Sequence, residues 1–228
     1  KINDRTDFTA FLEYLDEKRF ADFGQIIVGN TLAAVPPNRV PNNPEDSIAN
    51  KYLRVGYNFE HRFNDNWKIR NSFSYQDSRF NYNTFALPFR VNPNTNILGR
   101  AFADQDGISK VYSLQTNAIG KFKTGSVQHT LLAGVDLAQS ENKLITKNTF
   151  PSRPLQPFNI FAPNYTAAPE GSTLPLSNDN FLKGKRLGIY LQDQLSFFDN
   201  KLILLAGVRY DTIDRTNTNR TLNGTTEV

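Results

Sequence analysis

Hydrophobic and polar residues alternate one by one through several separate stretches of this chain. In residues 67–76 the odd positions hold Trp67, Ile69, Phe73 and Tyr75, while the even positions hold Lys68, Arg70, Ser72, Ser74 and Gln76. Successive side chains of a β-strand point to opposite faces, so this segment has one apolar face and one strongly polar face. The pattern recurs. Leu53, Val55, Tyr57, Phe59 and Phe63 alternate with Arg54, Gly56, Asn58, Glu60 and Arg62. Tyr112, Leu114, Ala118 and Phe122 form a third set, and Leu131, Ala133, Val135 and Leu137 a fourth, in which Leu132 interrupts the polar face. Leu187, Ile189, Leu191, Leu195 and Phe197 make a fifth, with Asp193 falling among them. Leu202, Leu204, Val208 and Tyr210 make a sixth, and Thr6 to Leu15 a less regular seventh. The chain is therefore expected to be all-β, with about seven strands.

The connections alternate as well. Asn64-Asp65-Asn66, Lys123-Thr124-Gly125-Ser126 and Asp199-Asn200 read as short polar turns. Between the other strand pairs lie long Pro/Asn-rich stretches, about 21–50, 81–109 and 148–182. Loops of that length are uncommon in compact soluble domains. Short turns at one end and long loops at the other are the layout of an outer-membrane barrel, whose turns are periplasmic and whose loops are extracellular. Phe63, Trp67, Phe122, Phe197 and Phe198 gather at the turn ends, where an interfacial aromatic girdle belongs. A soluble β-sandwich also has one apolar face per sheet, but its core would have no room for a second face rich in Arg, Lys and Glu. The fold class expected is a transmembrane antiparallel up-and-down β-barrel. Seven strands closed on themselves would leave too narrow a lumen for these polar side chains, which points to an open section of a larger barrel.

Composition sharpens this picture. The 228 residues include 18 Phe and 9 Tyr but no Cys and no Met. Without cysteine there is no disulfide scaffold, thiol nucleophile or thiolate metal site. The mean hydropathy is −0.50, and no run approaches the roughly 18 apolar residues that a membrane helix needs. Alternation keeps window-averaged hydropathy low even in a membrane barrel. The net charge of +4 is scattered, with no basic block suited to nucleic acid. Because the chain begins at Lys1 and contains no Met, it is expected to be part of a longer precursor.

Several collinear segments bear a resemblance to a known family. Gly188-Ile189-Tyr190-Leu191-Gln192-Asp193-Gln194, followed by a turn and Leu202-Ile203-Leu204-Leu205-Ala206-Gly207-Val208-Arg209-Tyr210-Asp211, resembles a signature hairpin of TonB-dependent siderophore receptors. His129-Thr130-Leu131-Leu132-Ala133-Gly134-Val135-Asp136 resembles the strand before it. Phe59-Glu60-His61-Arg62-Phe63-Asn64-Asp65-Asn66-Trp67 and Asn159-Ile160-Phe161-Ala162-Pro163 resemble a first turn and a loop element of the same family. The likeness is greatest to ferric-hydroxamate receptors of the ferrichrome type. It implies that residues 1–228 are the middle of a 22-stranded barrel, lacking the N-terminal plug domain and the closing C-terminal strands. It further implies a bacterial outer-membrane location, uptake of iron as a ferric siderophore, and energy supplied by the TonB complex through the plug.

Candidate chemistry follows the same division. The only two histidines, His61 and His129, stand at turn ends far from the long loops, so no protein metal site is expected. No Ser, His and Asp spacing suggests a catalytic triad, so no catalytic residue and no enzyme activity is expected. No protein-bound cofactor is called for, since the chelator supplies the iron ligands. Arg70, Arg186 and Arg209 read as polar lumen residues, and Asp193 as an interfacial or lumen-tilted carboxylate. A chelate needs aromatic surface together with amide and Arg donors where the inner face meets the long loops. Phe150 is a candidate, because it continues the inward parity of the strand carrying Asp136 and aligns with a family aromatic that contacts ferric hydroxamates. Tyr82, Phe85 and Phe89 fall where the family places ligand tyrosines. The sequons at Asn164, Asn219 and Asn223 are read as chance matches. The alternatives are a passive porin-type channel and a soluble β-sandwich binding module; an outer-membrane hydrolase is the weaker enzyme reading.

Overall fold

A computed structural model describes residues 2–221 and 224–227; Asn223, which begins one of the three sequons, lies outside them. Its strands are β1 (Thr6–Phe20), β2 (Ile27–Val28), β3 (Thr31–Leu32), β4 (Ser47–Arg62), β5 (Trp67–Asn92), β6 (Ile97–Thr124), β7 (Val127–Asn148), β8 (Gln156–Asn159), β9 (Leu176–Phe197), β10 (Leu202–Asn219) and β11 (Gly224–Glu227). One antiparallel sheet runs in the order β1-β4-β5-β6-β7-β9-β10-β11, with β8 added to β6; β2 and β3 form a separate hairpin. Its long strands, β1, β4, β5, β6, β7, β9 and β10, pair in chain order, so the sheet is an up-and-down meander. The sheet is open: β1 and β11 end it, and they do not pair with each other.

The register puts the alternating apolar sets side by side. Val55 pairs with Tyr75, which pairs with Tyr112, and the two tyrosine rings lie 4.7 Å apart. Among the described residues, none covers this face. Leu12, Val55, Trp67, Ile189, Leu191 and Val208 are all exposed. A sheet whose large apolar residues lie outside and whose Arg, Lys and Glu lie inside is built for a lipid surround. The turns fit their sequence. Gly125 and Ser126 close a two-residue hairpin between β6 and β7, with Gly125 at φ 61°. A glycine at the first central position suits a type II′ turn, where other residues would be strained.

The loop end departs from the sequence expectation. The segment 81–109 was expected to be a loop, yet β5 runs on to Asn92 and β6 begins at Ile97. Only Pro93–Asn96 turns, with the Asn96 amide donating to the Asn92 carbonyl at 2.8 Å. Asn and Pro suggested a loop, but the pairing tolerates them through two irregularities, between Tyr82 and Phe85 and between Pro88 and Val91. Such bulges accommodate a proline that cannot donate to a ladder. The other two long segments are trimmed to 21–46 and 149–175 by earlier starts of β4 and β9. Both fold back onto the projecting β5–β6 hairpin. Strand β8 pairs with the start of β6, and Ile26, Val91, Leu98, Phe158 and Ile160 form an apolar core there. A second core holds Ala86, Phe102 and Leu174. These clusters make a packed cap on the loop end of the wall.

Candidate functional site

Below the cap, the polar face of the wall is cross-linked by charge. Arg209 on β10 reaches across β9 to Asp136 on β7, with Nη1 2.8 Å from Oδ2, and also holds Asp211 at 2.7 Å. Arg186 on β9 donates to the same Asp211 at 3.1 Å. Gly188 makes this crossing possible, because a Cβ there would collide with the Arg209 guanidinium and the Asp211 carboxylate. Nearer the turn end, Glu60 on β4 accepts from Lys68 and Arg70 on β5. A cavity of about 340 Å³ opens over the first ladder, lined in part by Arg54, Asn58, Gln115, Asp136, Arg186 and Arg209. Its lining offers cationic and amide donors, the groups that hold carboxylate, hydroxamate or phosphate oxygens.

The two histidines and Asp193 lie elsewhere. His61 shares a hydrogen bond with Thr6 Oγ1 at 2.9 Å, lies parallel to the Phe59 ring and meets Phe63 edge-on. His129 stacks flat on Phe122, at 4.6 Å, and its Nδ1 lies 2.6 Å from Asp193 Oδ2. Asp193 pairs in register with Leu131 and Ala206 and stays on the apolar side of the wall near the turn end. It is interfacial in placement and not tilted to the lumen. These rings belong to the aromatic edge of the wall, together with the exposed Phe63, Trp67 and Phe198.

The four aromatic candidates fall into two pairs in the cap. Phe89 and Phe150 pack at 5.1 Å with both rings exposed. Tyr82 and Phe85 pack at 5.2 Å. Residues three apart on an unbroken strand face opposite sides. Here Tyr82 pairs with Gln105 and Phe85 with Ala103, so β5 carries one extra residue and the two rings share a side. Phe80 extends the row at 5.6 Å from Tyr82, and Phe23 closes it at 5.3 Å from Phe85. Phe85 is 2% exposed; it supports Tyr82 and presents no surface of its own. Phe150 lies just beyond the strand whose parity suggested it. Strand β7 stops at Asn148, and Phe150 is placed by its neighbour Thr149, whose amide donates to the Phe102 carbonyl and whose Oγ1 accepts from the Phe102 amide, each at 3.0 Å.

A buried polar knot missed by sequence reasoning holds these pairs in place. Arg100 is fully buried. Its Nη1 donates to the Pro41 carbonyl and to Asn43 Oδ1, both at 3.0 Å, its Nε donates to Gln156 Oε1 at 3.1 Å, and its guanidinium lies 4.4 Å from the Phe158 ring centroid. Asn42, Asn43 and Asp46 are buried beside it. Burial pushes the Asp46 carboxyl above its ordinary range, against the pull of the Ala86 and Asn43 amides, and pulls the Arg100 guanidinium down. The one sequence signal for the knot was a lone Arg inside Leu98-Gly99-Arg100-Ala101-Phe102-Ala103, a polar residue in an otherwise small and apolar run.

Sheet order, lipid-ready outer face and charged inner face define a section of a membrane β-barrel wall. The comparisons with known proteins say which kind. The family model "TonB dependent receptor-like, beta-barrel" matches residues 1–227, and the chain belongs to that family. This is a receptor and transporter family of the outer membrane, not a family of enzymes, which sets aside the porin, sandwich and hydrolase readings. The chain is 28% identical to the ferrichrome outer membrane transporter/phage receptor of Escherichia coli K12, over 99% of this chain and 33% of that protein. It is 29% identical to the ferrioxamine receptor of Yersinia enterocolitica, over 75% of this chain and 24% of that protein. The crystal structure of the ferric preacinetobactin receptor from Acinetobacter baumannii has the same fold, with a TM-score of 0.77 at 20% identity, over 99% of this chain and 34% of that one. The chain spans about a third or less of the length of these relatives.

Proposed function

We propose that this chain is wall and outer cap of a receptor that takes up ferric siderophores of the hydroxamate type across the bacterial outer membrane. Ferrichrome and ferrioxamine, which name the relatives, are both hydroxamate chelates. The observation that carries the reading is the exposed Phe89–Phe150 pair, with the Tyr82–Phe85 pair on the same hairpin, set above an inner wall lined by Arg and amide side chains. Rings of this kind bury the apolar body of a chelate, while cationic and amide donors hold its oxygens. Phe150, Phe89 and Tyr82 are the ligand-facing residues on this reading, and Phe85 is their support. Iron travels within the chelate as cargo, and no protein ligand to iron is required. In the intact protein, residues outside this chain would form the plug and engage the TonB complex, and the long loops 21–46 and 149–175 would face the medium.

The test is equilibrium binding of ferrichrome and ferrioxamine B to the intact receptor in detergent. Phe150→Ala is expected to weaken binding of the preferred chelate about tenfold, the loss of one well-packed aromatic contact. Unchanged affinity in both Phe150→Ala and Phe89→Ala would remove the aromatic pair from the binding site.

A further inference from the structure

The bulged stretch of β5 that carries Tyr82 and Phe85 lacks a strand on one side. Strand β4 pairs with β5 only as far as Ser47 opposite Asn83. Beyond that point the Ala86 peptide faces away from β6, and two side chains from the preceding loop replace the missing strand. Asp46 Oδ2 accepts from the Ala86 amide at 2.8 Å, and Asn42 Nδ2 donates to the Ala86 carbonyl at 3.1 Å. All three residues are buried. The clamp is itself held from behind. Asp46 Oδ2 also accepts from the Asn43 amide at 2.9 Å, and Arg100 fixes Asn43 and Pro41.

We propose that Asp46 and Asn42 are positioning residues for chelate recognition, setting the bulge that aligns Tyr82 with Phe85. The bulge is not self-supporting. Thr84 within it has φ 26°, a left-handed value unusual for a β-branched residue. Its amide donates to Asp104 Oδ2 at a long 3.4 Å. A strained backbone of this kind persists when its surroundings over-determine it, and the Asp46–Asn42 clamp on the next peptide but one supplies that constraint. Released, the extra residue is free to migrate along β5. A one-residue slip would turn Tyr82 or Phe85 to the opposite face. Neither Asp46 nor Asn42 needs to touch the ligand for binding to depend on it.

This inference rests on the siderophore reading, so the test separates the two. The intact receptor and its Asp46→Leu, Asp46→Asn and Asn42→Ala variants are assayed for ferrichrome and ferrioxamine B binding. Hydrogen exchange at the Ala86 amide is followed in the ligand-free protein. Asp46→Leu keeps the volume but removes the acceptor, and is expected to weaken binding about tenfold and to speed Ala86 exchange by at least about tenfold. Asp46→Asn retains an acceptor oxygen and is expected to stay within about threefold of wild type in both. Asn42→Ala gives a smaller loss of the same sign, and serves if Asp46→Leu fails to fold. Wild-type affinity in Asp46→Leu, or an Asp46→Asn loss as deep as that of Asp46→Leu, overturns the proposal. If the unmodified receptor binds neither chelate, the siderophore reading fails, and Ala86 exchange alone then shows whether the clamp holds the bulge.

Discussion

Leu191 and Phe158 are both large apolar residues on strands, yet Leu191 is 47% exposed on the wall and Phe158 is 1% exposed in the cap. The wall has no protein core. Its backbone bonds are closed by neighbouring strands, its apolar residues are left for lipid, and its inner charges pair with one another across strands. The cap is organised as a water-soluble domain is, with Ile26, Val91, Leu98, Phe158 and Ile160 inside and a hydrogen-bonded polar knot beside them. One chain thus follows two solvent rules, and the change comes where β5 and β6 outrun their neighbours. The same mutation type should have opposite consequences on the two sides of that line.

The largest effect is expected from Phe158→Ala. Emptying a fully packed aromatic site typically costs about 3–5 kcal/mol. Because the cap is a local unit, the loss should appear as faster hydrogen exchange and proteolysis of 21–46 and 149–175, with the wall's thermal transition unmoved. A fall in the transition of the whole barrel would show that cap and wall are one cooperative unit, and the contrast drawn above would fail.

Leu191→Arg should reverse that outcome. An Arg facing lipid near mid-strand costs about 2–4 kcal/mol in a membrane barrel. It should lower the wall's stability in urea-driven unfolding from vesicles, while the cap's exchange stays as in wild type. Gln192→Arg, one residue along and on the polar side, is the control, and is expected to change stability by about 0.5 kcal/mol or less. Equal losses from both substitutions would mean that the two faces do not differ in solvent.

How far each region was legible in the sequence follows from the same contrast. Wall strands carry their face assignment locally, since the side of Trp67 or Ile189 is set by its neighbours one residue away. Strand order, short turns and the two-faced wall were therefore readable. The cap is not written that way. Asn81, Asn83 and Pro88 look like loop residues, yet Asn81 and Asn83 pair with Ala49 and Ser47 of β4, and Pro88 pairs with Arg100, to which β8 is added on the other side. No period reveals a bulge, so the shared face of Tyr82 and Phe85 was invisible, and strand parity ends with β7 at Asn148, two residues before Phe150. Asn42, Asn43 and Asp46 read as punctuation around Pro41 and Pro44, because their partners Ala86 and Arg100 lie 40 or more residues away.

The finest distinction between the regions is their response to acid. Ion pairs such as Arg209–Asp136 and Arg186–Asp211 line the open face of the wall, whereas the Asp46 carboxyl is buried in the cap. Burial raises its pKa in the folded state, with Glu45 adding to the rise and the Ala86 and Asn43 amides opposing it. A carboxyl of raised pKa binds its proton more tightly when folded than when unfolded. The cap is then most stable below the ordinary carboxylate pKa, and loses part of that stability as pH rises through the raised value. The loss is complete above it and constant thereafter. Exchange at Ala86 and Phe102, corrected for intrinsic rates, should therefore slow modestly as pH falls from neutrality toward 4. Arg100 stays charged throughout, so the titrating partner is Asp46, and Asp46→Asn should flatten the profile while leaving the neutral-pH clamp in place. A slope that survives Asp46→Asn would move the titration to another group and leave the cap's carboxylate with no part in it.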